Sequence, residues 1–217
     1  YYQGTGDQKF ELDLFEYDLN KLGNILKDFN TAVVMVGYDT DTESEGSDRT
    51  FDLPDPQNEL ICNVASKVKN VIVVANSGGG FNFMPWIYNV KGVIMAWYPG
   101  QEGGTALANI LKGTVNPSGK LPMSIEKKWE DNPVHDNFFS KNGEKEITYQ
   151  EGLFYGYRGY DAQDKRPLFP FGFGLSYTTF SYSDIKAQPL GKNRLRVTFK
   201  VTNTGKRAGA EVAELYV

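Results

Sequence analysis

Histidine and cysteine are nearly missing from this 217-residue chain, which has one of each, His135 and Cys62. A single cysteine cannot form an internal disulfide, and zinc sites built from histidine and cysteine need more ligands than these two residues supply. A Ser-His-Asp or Cys-His mechanism would have to use His135, which lies in an irregular polar stretch without a G-x-S-x-G motif. Carboxylates therefore remain as the candidate catalytic groups, and no metal is expected.

Long apolar runs and an excess of basic residues are also missing. No stretch approaches the roughly 18 consecutive apolar residues that a membrane span needs, so no such span is expected. The formal net charge is −4 and no basic stripe stands out, which does not favour nucleic-acid binding. The first residues do not form a signal peptide, and we expect the chain to begin within a longer protein.

Three apolar runs predict a buried parallel sheet: Ala32–Gly37, Val71–Asn76 and Gly92–Trp97. Continuous apolar strands that alternate with helices are typical of an α/β fold, in which helices cover both faces of a mostly parallel sheet. The predicted helices are residues 17–29 with Asp18 as N-cap, a helix that Pro56 opens, a short helix around Met84–Tyr88, and Thr105–Lys112.

The second half of the chain changes character after Lys112. Residues 116–182 are rich in glycine, proline, asparagine and aromatics, which predicts an extended segment wrapped on the sheet domain. From Arg194 apolar residues alternate with polar ones, and Val212, Leu215 and Val217 predict a further strand. We therefore predict an α/β sandwich domain over residues 1–180, followed by the first strands of a β-sandwich over residues 181–217.

The loop after the first strand is the most informative feature: Thr42-Glu43-Ser44-Glu45-Gly46-Ser47-Asp48-Arg49. Catalytic groups of α/β proteins lie beyond the carboxyl ends of strands, so this loop should share one rim with the loops Ser77–Gly80 and Trp97–Gly104. A carboxylate cluster can hold one acid partly protonated, because like charges raise a pKa, and a general acid needs that proton. A solvated acidic loop without a catalytic role is the alternative interpretation.

Two glycine-rich loops suggest phosphate binding, but neither has the required pattern. Gly113–Lys120 has one residue too many for a P-loop, and Leu121 stands where serine or threonine must bind magnesium. Ser77–Gly80 follows a strand without a G-x-G-x-x-G pattern and is predicted to be a tight turn. A flavodoxin-like nucleotide-binding function is therefore not favoured.

Four segments, in this order and spacing, resemble the C-terminal α/β sandwich domain of glycoside hydrolase family 3. They are Glu43–Arg49 (ESEGSDR), Trp97–Gly104 (WYPGQEGG), Asn116–Pro122 (NPSGKLP), and the aromatic-rich stretches Tyr149–Arg158 and Phe169–Phe180. The tail from Val197 resembles the opening strands of the fibronectin-type-III-like domain that follows in many members. The resemblance thus covers nearly the whole chain.

The resemblance implies part of a retaining, exo-acting β-glycosidase that acts on a β-linked oligosaccharide or glycoside without a cofactor. In that family the nucleophilic aspartate lies on a preceding barrel domain and the acid/base glutamate lies on the sandwich domain. The implied partner is therefore an upstream barrel domain of the same protein, and the chain alone is expected to be inactive. A secreted or periplasmic location is favoured by the same resemblance.

Within this resemblance Glu45 matches the acid/base of the family's Glu-Gly-x-Asp-Arg pattern, and Glu43 is the second candidate. Glu43, Asp48 and Arg49 are candidate substrate-binding residues. Alternatively, Asp48 and Arg49 orient the loop through an ion pair, or anchor it to the sheet. Trp97 and Tyr98 are candidates for stacking on sugar rings. A non-catalytic carbohydrate-binding or scaffold domain is the second functional hypothesis, because a fold does not determine a function.

Overall fold

The computed structural model describes residues 19–46, 48–138 and 146–216. The chain divides into two compact units, Tyr1–Tyr98 and Pro99–Val217. Three residues named in the sequence predictions lie outside the described residues: the N-cap Asp18, Ser47 of the acidic loop, and Val217 of the last predicted strand.

The first unit contains a three-stranded parallel sheet. Its elements are α1 (Leu19–Leu26), β1 (Thr31–Gly37), α2 (Asp55–Ala65), β2 (Asn70–Asn76), a 3₁₀ turn (Ile87–Asn89) and β3 (Gly92–Met95). The strands lie in the order β1-β2-β3, with Val33 opposite Ile72 and Val73 opposite Val93. The predicted parallel sheet is therefore confirmed, and its carboxyl ends point the same way.

The central strand β2 lies in the apolar core of this unit. Val73, Val74 and Ala75 are completely buried, as expected of a strand covered on both faces. In β1 the pattern alternates: Val34 and Val36 are buried, whereas Val33 and Met35 are 44% and 53% exposed. The prediction of a buried strand thus holds for one face of β1, which lies at the edge of this sheet and has fewer neighbours.

An aromatic cluster follows β2 and fixes the chain beyond it. Phe81, Phe83 and Trp86 are completely buried, and the rings of Phe81 and Phe83 stack with centroids 4.2 Å apart. The indole N–H of Trp86 donates to the Asn58 side chain at 3.0 Å, so its polar atom is satisfied inside the core. The short helix predicted around Met84–Tyr88 is reduced to the 3₁₀ turn.

The described part of the second unit, residues 99–138 and 146–216, has one longer helix, two short ones and a β-hairpin. Its elements are α3 (Gly103–Leu111), a 3₁₀ turn (Trp129–Asp131), α4 (His135–Phe138), α5 (Tyr157–Ala162), β4 (Phe180–Gly191) and β5 (Arg194–Asn203). Strands β4 and β5 pair antiparallel, which confirms that strands of a second sheet follow the α/β part. The helices α4 and α5 interrupt the stretch that was predicted to be extended.

The strand predicted at Val212 and Leu215 is wrong for the described residues, since none of residues 204–216 is in a strand. Alternating apolar residues predict which side of a strand is buried, but a strand also needs a neighbour with free backbone groups. This segment is held by side chains instead: Glu211 lies 3.4 Å from the ammonium of Lys120 and accepts from the hydroxyl of Tyr182 at 2.9 Å.

Polar side chains join the second unit across the predicted boundary at residue 180. The Asn116 amide accepts from the backbone N–H of Tyr177 at 2.8 Å and donates to the carbonyl of Ala208 at 3.1 Å. Lys120, which pairs with Glu211, also donates to the carbonyl of Gly174 at 2.8 Å. The division into residues 1–180 and 181–217 stays a prediction.

Candidate active site

The acidic loop begins with a tight turn built on Asp39. Its carboxylate accepts from the backbone N–H groups of Asp41 at 3.1 Å and Thr42 at 2.9 Å, and from the Thr42 hydroxyl at 2.7 Å. The hydroxyl bond is the main reason that the pKa of Asp39 is lowered. Aspartate favours such turns because its short side chain can bond to the backbone two residues on. Asp39-Thr40-Asp41-Thr42 was therefore an available sequence signal, which the predictions did not use.

The Glu43 carboxylate joins the loops that follow all three strands. One oxygen accepts from Arg49 Nε at 2.7 Å, within the loop after β1. The other accepts from the backbone N–H of Gly78, after β2, at 2.9 Å and from the hydroxyl of Tyr98, after β3. The three loops therefore meet at one rim of the sheet, as predicted.

Arg49 forms five hydrogen bonds, as many as a guanidinium has N–H donors. They go to Glu43, the Tyr38 hydroxyl, the carbonyls of Thr50 and Gly80, and the Ser77 hydroxyl, at 2.7–3.3 Å. Its guanidinium carbon also lies 4.3 Å from the centroid of the Tyr38 ring. Of the two alternatives left open by the sequence, Arg49 anchors the loop to the turn after β2, and its ion pair is with Glu43 and not with Asp48.

Burial and charge perturb the titration of this cluster. Burial by itself raises the pKa of Glu43, but the hydrogen bonds from Tyr98, Gly78 and Arg49 outweigh it and leave this pKa below its usual value. The bond to Glu43 raises the pKa of Tyr98. Burial raises the pKa of Tyr38 to about 12, although the positive charge of Arg49 opposes the shift. Glu43 is therefore held as a carboxylate while both tyrosines stay protonated.

Glu45 and Asp48 differ from Glu43 in that both are exposed. Neither carboxylate forms a hydrogen bond or an ion pair with another described residue. Gly46, directly after Glu45, has φ +80°, a conformation that glycine adopts without a steric penalty. The loop thus turns at Gly46 and leaves Glu45 exposed.

The sequence predictions missed the part that Tyr98 plays here. Tyr98 was a candidate for stacking on sugars, yet its hydroxyl donates to Glu43. The chain turns just before it, since Trp97 has φ +54°, and this left-handed residue explains why β3 ends at Met95 and not at Trp97. Nothing in the sequence pairs residues 43 and 98. The described residues contain neither a cluster that could hold a metal ion nor a helix able to cross a bilayer.

Comparison with known proteins defines the class to which this fold and this rim belong. Residues 16–177 match the glycosyl hydrolase family 3 C-terminal domain. The chain therefore belongs to glycosyl hydrolase family 3, as the four sequence segments indicate.

The relatives and solved structures carry β-glucosidase names. The chain is 45% identical over 203 residues to thermostable beta-glucosidase B of Acetivibrio thermocellus, covering 92% of this chain and 26% of the relative. It is 43% identical over 211 residues to beta-glucosidase B of Emericella nidulans, covering 91% and 25%. It thus spans about a quarter of the length of these curated relatives.

Solved structures with this fold include two family 3 enzymes. The family 3 β-glucosidase of Bifidobacterium adolescentis is 40% identical with a TM-score of 0.80, over 86% of this chain and 28% of that one. β-Glucosidase 3B of Thermotoga neapolitana, solved with α-D-glucose, is 33% identical with a TM-score of 0.83, over 96% and 30%. The predicted fold class is confirmed.

Proposed function

We propose that this chain is the part of a retaining, exo-acting β-glucosidase-like enzyme that supplies the general acid/base, Glu45. The nucleophilic aspartate would lie on a barrel domain of the same protein. The observation that carries the proposal is the contrast between two neighbouring glutamates. Glu43 has its carboxylate saturated by three donors, whereas Glu45 is exposed on the same rim, where a second domain and a sugar can reach it.

The proposed chemistry takes place in two steps. In the first, protonated Glu45 gives its proton to the glycosidic oxygen as the bond from that oxygen to the anomeric carbon breaks and the aspartate attacks the carbon. In the second, the Glu45 carboxylate takes a proton from water as the water oxygen displaces the aspartate. Such a mechanism needs the two carboxyl groups about 5–5.5 Å apart, which requires a docked barrel domain.

A general acid must lose and regain a proton in each cycle. Glu45 suits this role because it is exposed, so that both the glycosidic oxygen and water can exchange a proton with it. Glu43 is poorly suited, since its lowered pKa and its three hydrogen-bond donors favour the form without a proton. Glu45 is therefore the proposed acid/base and Glu43 is not. Substrate binding by Asp48, which is exposed, stays a prediction.

Glu45→Gln in the complete enzyme tests this assignment. General acid catalysis is worth about 10²–10⁴ in rate, so a substrate with a poor leaving group, such as cellobiose, should lose that factor. Activated aryl glucosides need little protonation and should keep a fast first step, whereas their second step should slow because water loses its base. Azide should restore turnover, because it attacks the anomeric carbon without deprotonation and releases a glycosyl azide.

Glu59→Gln is the matched control, since Glu59 is exposed on α2 and is not one of the residues that join the three loops. If Glu45→Gln slows all leaving groups equally and azide has no effect, the acid/base assignment is wrong. If the variant has no effect at all, the chain is better described by the second hypothesis, a non-catalytic carbohydrate-binding or scaffold domain.

A further inference from the structure

We infer that Glu43, Arg49 and Tyr98 are positioning residues. They fix the loop that carries Glu45 relative to the carboxyl ends of all three strands. This role presupposes the acid/base function proposed for Glu45. It replaces, for Glu43 and Arg49, the direct contact with substrate that the sequence suggested.

The loop is closed at its base by its own end residues. Glu43 precedes Glu45 by two positions, Arg49 follows it by four, and the two are joined at 2.7 Å with side chains only 17% and 15% exposed. The ion pair therefore holds the two ends of the loop together. Gly46 with φ +80° allows the sharp turn within it, and the closed base limits how far Glu45 can move.

The closed base is itself attached to the sheet on two sides. Arg49 donates to the Gly80 carbonyl at 2.8 Å, and Glu43 accepts from Gly78 at 2.9 Å, so both residues bind the turn after β2. Tyr98 adds the loop after β3. Its ring packs on that same turn, since a Cβ added to Gly78 would lie 3.0 Å from a ring carbon and 2.8 Å from the hydroxyl of Tyr98.

Only an ionised carboxylate satisfies these three donors. An amide in place of Glu43 has one oxygen and one NH₂ group. If the oxygen faces Gly78, the NH₂ group opposes the N–H of Arg49, and if it faces Arg49, the NH₂ group opposes the N–H of Gly78. Tyr98 can rotate its hydroxyl to accept, but neither of the other two donors can change its role. Glu43→Gln should therefore open the base of the loop while conserving the size of the side chain.

Misplacement of the acid should appear as a loss in rate rather than in substrate affinity. A shift of about 1 Å in a catalytic group can cost about 10²-fold. For poor leaving groups, Glu43→Gln should lower kcat by about 10²-fold and Tyr98→Phe, which removes one hydrogen bond, by about tenfold. KM should stay within about threefold, because the Glu43 carboxylate is occupied by its three donors and Tyr98→Phe keeps the aromatic ring.

The test compares both variants in the complete enzyme on aryl glucosides of graded leaving-group pKa and on cellobiose. Tyr88→Phe, at a tyrosine that is 76% exposed, and Glu59→Gln are the matched controls. Glu43→Gln and Tyr98→Phe are then each combined with Glu45→Gln, and the double variants are measured on the same substrates. If they act through Glu45, they should add little further loss there, because coupled residues are not additive. Azide should not rescue Glu43→Gln, since Glu45 is still present as the base.

Three results would overturn the inference. The first is an equal loss in the wild-type and Glu45→Gln backgrounds, which would indicate a general structural effect. The second is a large rise in KM, which would indicate contact with the sugar. The third is azide rescue of Glu43→Gln, which would make Glu43 the acid/base itself.

The outcomes also separate this inference from the proposed function. If Glu45→Gln discriminates between leaving groups but the two positioning variants do not, only the inference fails. If Glu45→Gln itself does not discriminate, both fail. Should Glu43→Gln not fold, Tyr98→Phe decides the matter, because it removes a single hydrogen bond from a tyrosine that is 65% exposed.

Discussion

Replacing Arg49 by methionine should destabilise the first unit by about 3 kcal/mol. The substitution keeps most of the apolar stem and removes the guanidinium, with its five hydrogen bonds and its contact with the Tyr38 ring. The Glu43 carboxylate, only 17% exposed, would then lose its counter-ion and keep two donors.

The magnitude follows from the degree of burial. Removing one partner of a fully buried ion pair costs about 3–5 kcal/mol, whereas exposed pairs are worth about 0.2–1 kcal/mol. The pair of Arg49 and Glu43 has side chains 15% and 17% exposed, which places it near the lower end of the buried range. Two carbonyls also lose a donor, but that of Thr50 can turn to water, since Thr50 is exposed.

Urea unfolding followed by tryptophan fluorescence measures the effect. Trp86 is completely buried in the first unit and should report its unfolding. With a urea dependence of about 2 kcal/mol per molar, a loss of about 3 kcal/mol lowers the midpoint by about 1.5 M. Arg166→Met, at an exposed arginine, should stay within about 0.5 kcal/mol. A loss below about 1 kcal/mol for Arg49→Met would refute the reasoning, because the loops would then be held by something else.

Three further outcomes are expected. Gly37→Ala should cost about 1–3 kcal/mol, because its Cβ would lie 2.5 Å from the carbonyl oxygen of Asn76, whereas Gly92→Ala in β3 meets nothing within 4 Å and should be nearly neutral in the same urea assay. Glu43 has a lowered pKa in the folded state. The stability that it contributes is therefore present above the unfolded pKa of about 4.3 and is lost as the pH falls from there through the folded pKa. The difference in the free energy of unfolding between wild type and Glu43→Gln should narrow over that range. The 217-residue chain alone should not hydrolyse nitrophenyl β-glucoside, and robust turnover by the pure chain would show that no second domain is needed.

The strands of the sheet could be predicted from the sequence because their signal is local. The apolar runs Ala32–Gly37 and Val71–Asn76 predicted β1 and β2 to within one residue. The third run was predicted two residues too long, because Trp97 has a left-handed backbone conformation that hydrophobicity does not report. The strand predicted at Val212 failed for a related reason. Alternating apolar and polar residues indicate which side chains would be buried, but a strand also needs a neighbouring strand to pair with its backbone.

The candidate site could be placed from the sequence but not resolved into roles. Parallel strands bring their loops to one rim, so the meeting of the three loops followed from the predicted topology. The roles of Glu43 and Glu45 depend instead on Tyr98 and Gly78, which are 55 and 35 residues from Glu43 in the chain. Local patterns carry no information on which side chains meet over such separations. For the same reason the sequence left open whether Arg49 takes part in an ion pair or anchors the loop to the sheet.

A general acid that serves a second domain faces two opposing demands. It must be exposed, so that the sugar and the second carboxylate can reach it, and it must be fixed, because proton transfer needs hydrogen-bond geometry. An exposed side chain gains little rigidity from its own contacts, since water competes for them. In the proposed arrangement this rigidity comes from Glu43 and Arg49, which are mostly withdrawn from water and lie on either side of Glu45. On this proposal one carboxylate anchors the loop, so that the other, two residues away, can stay exposed for proton transfer.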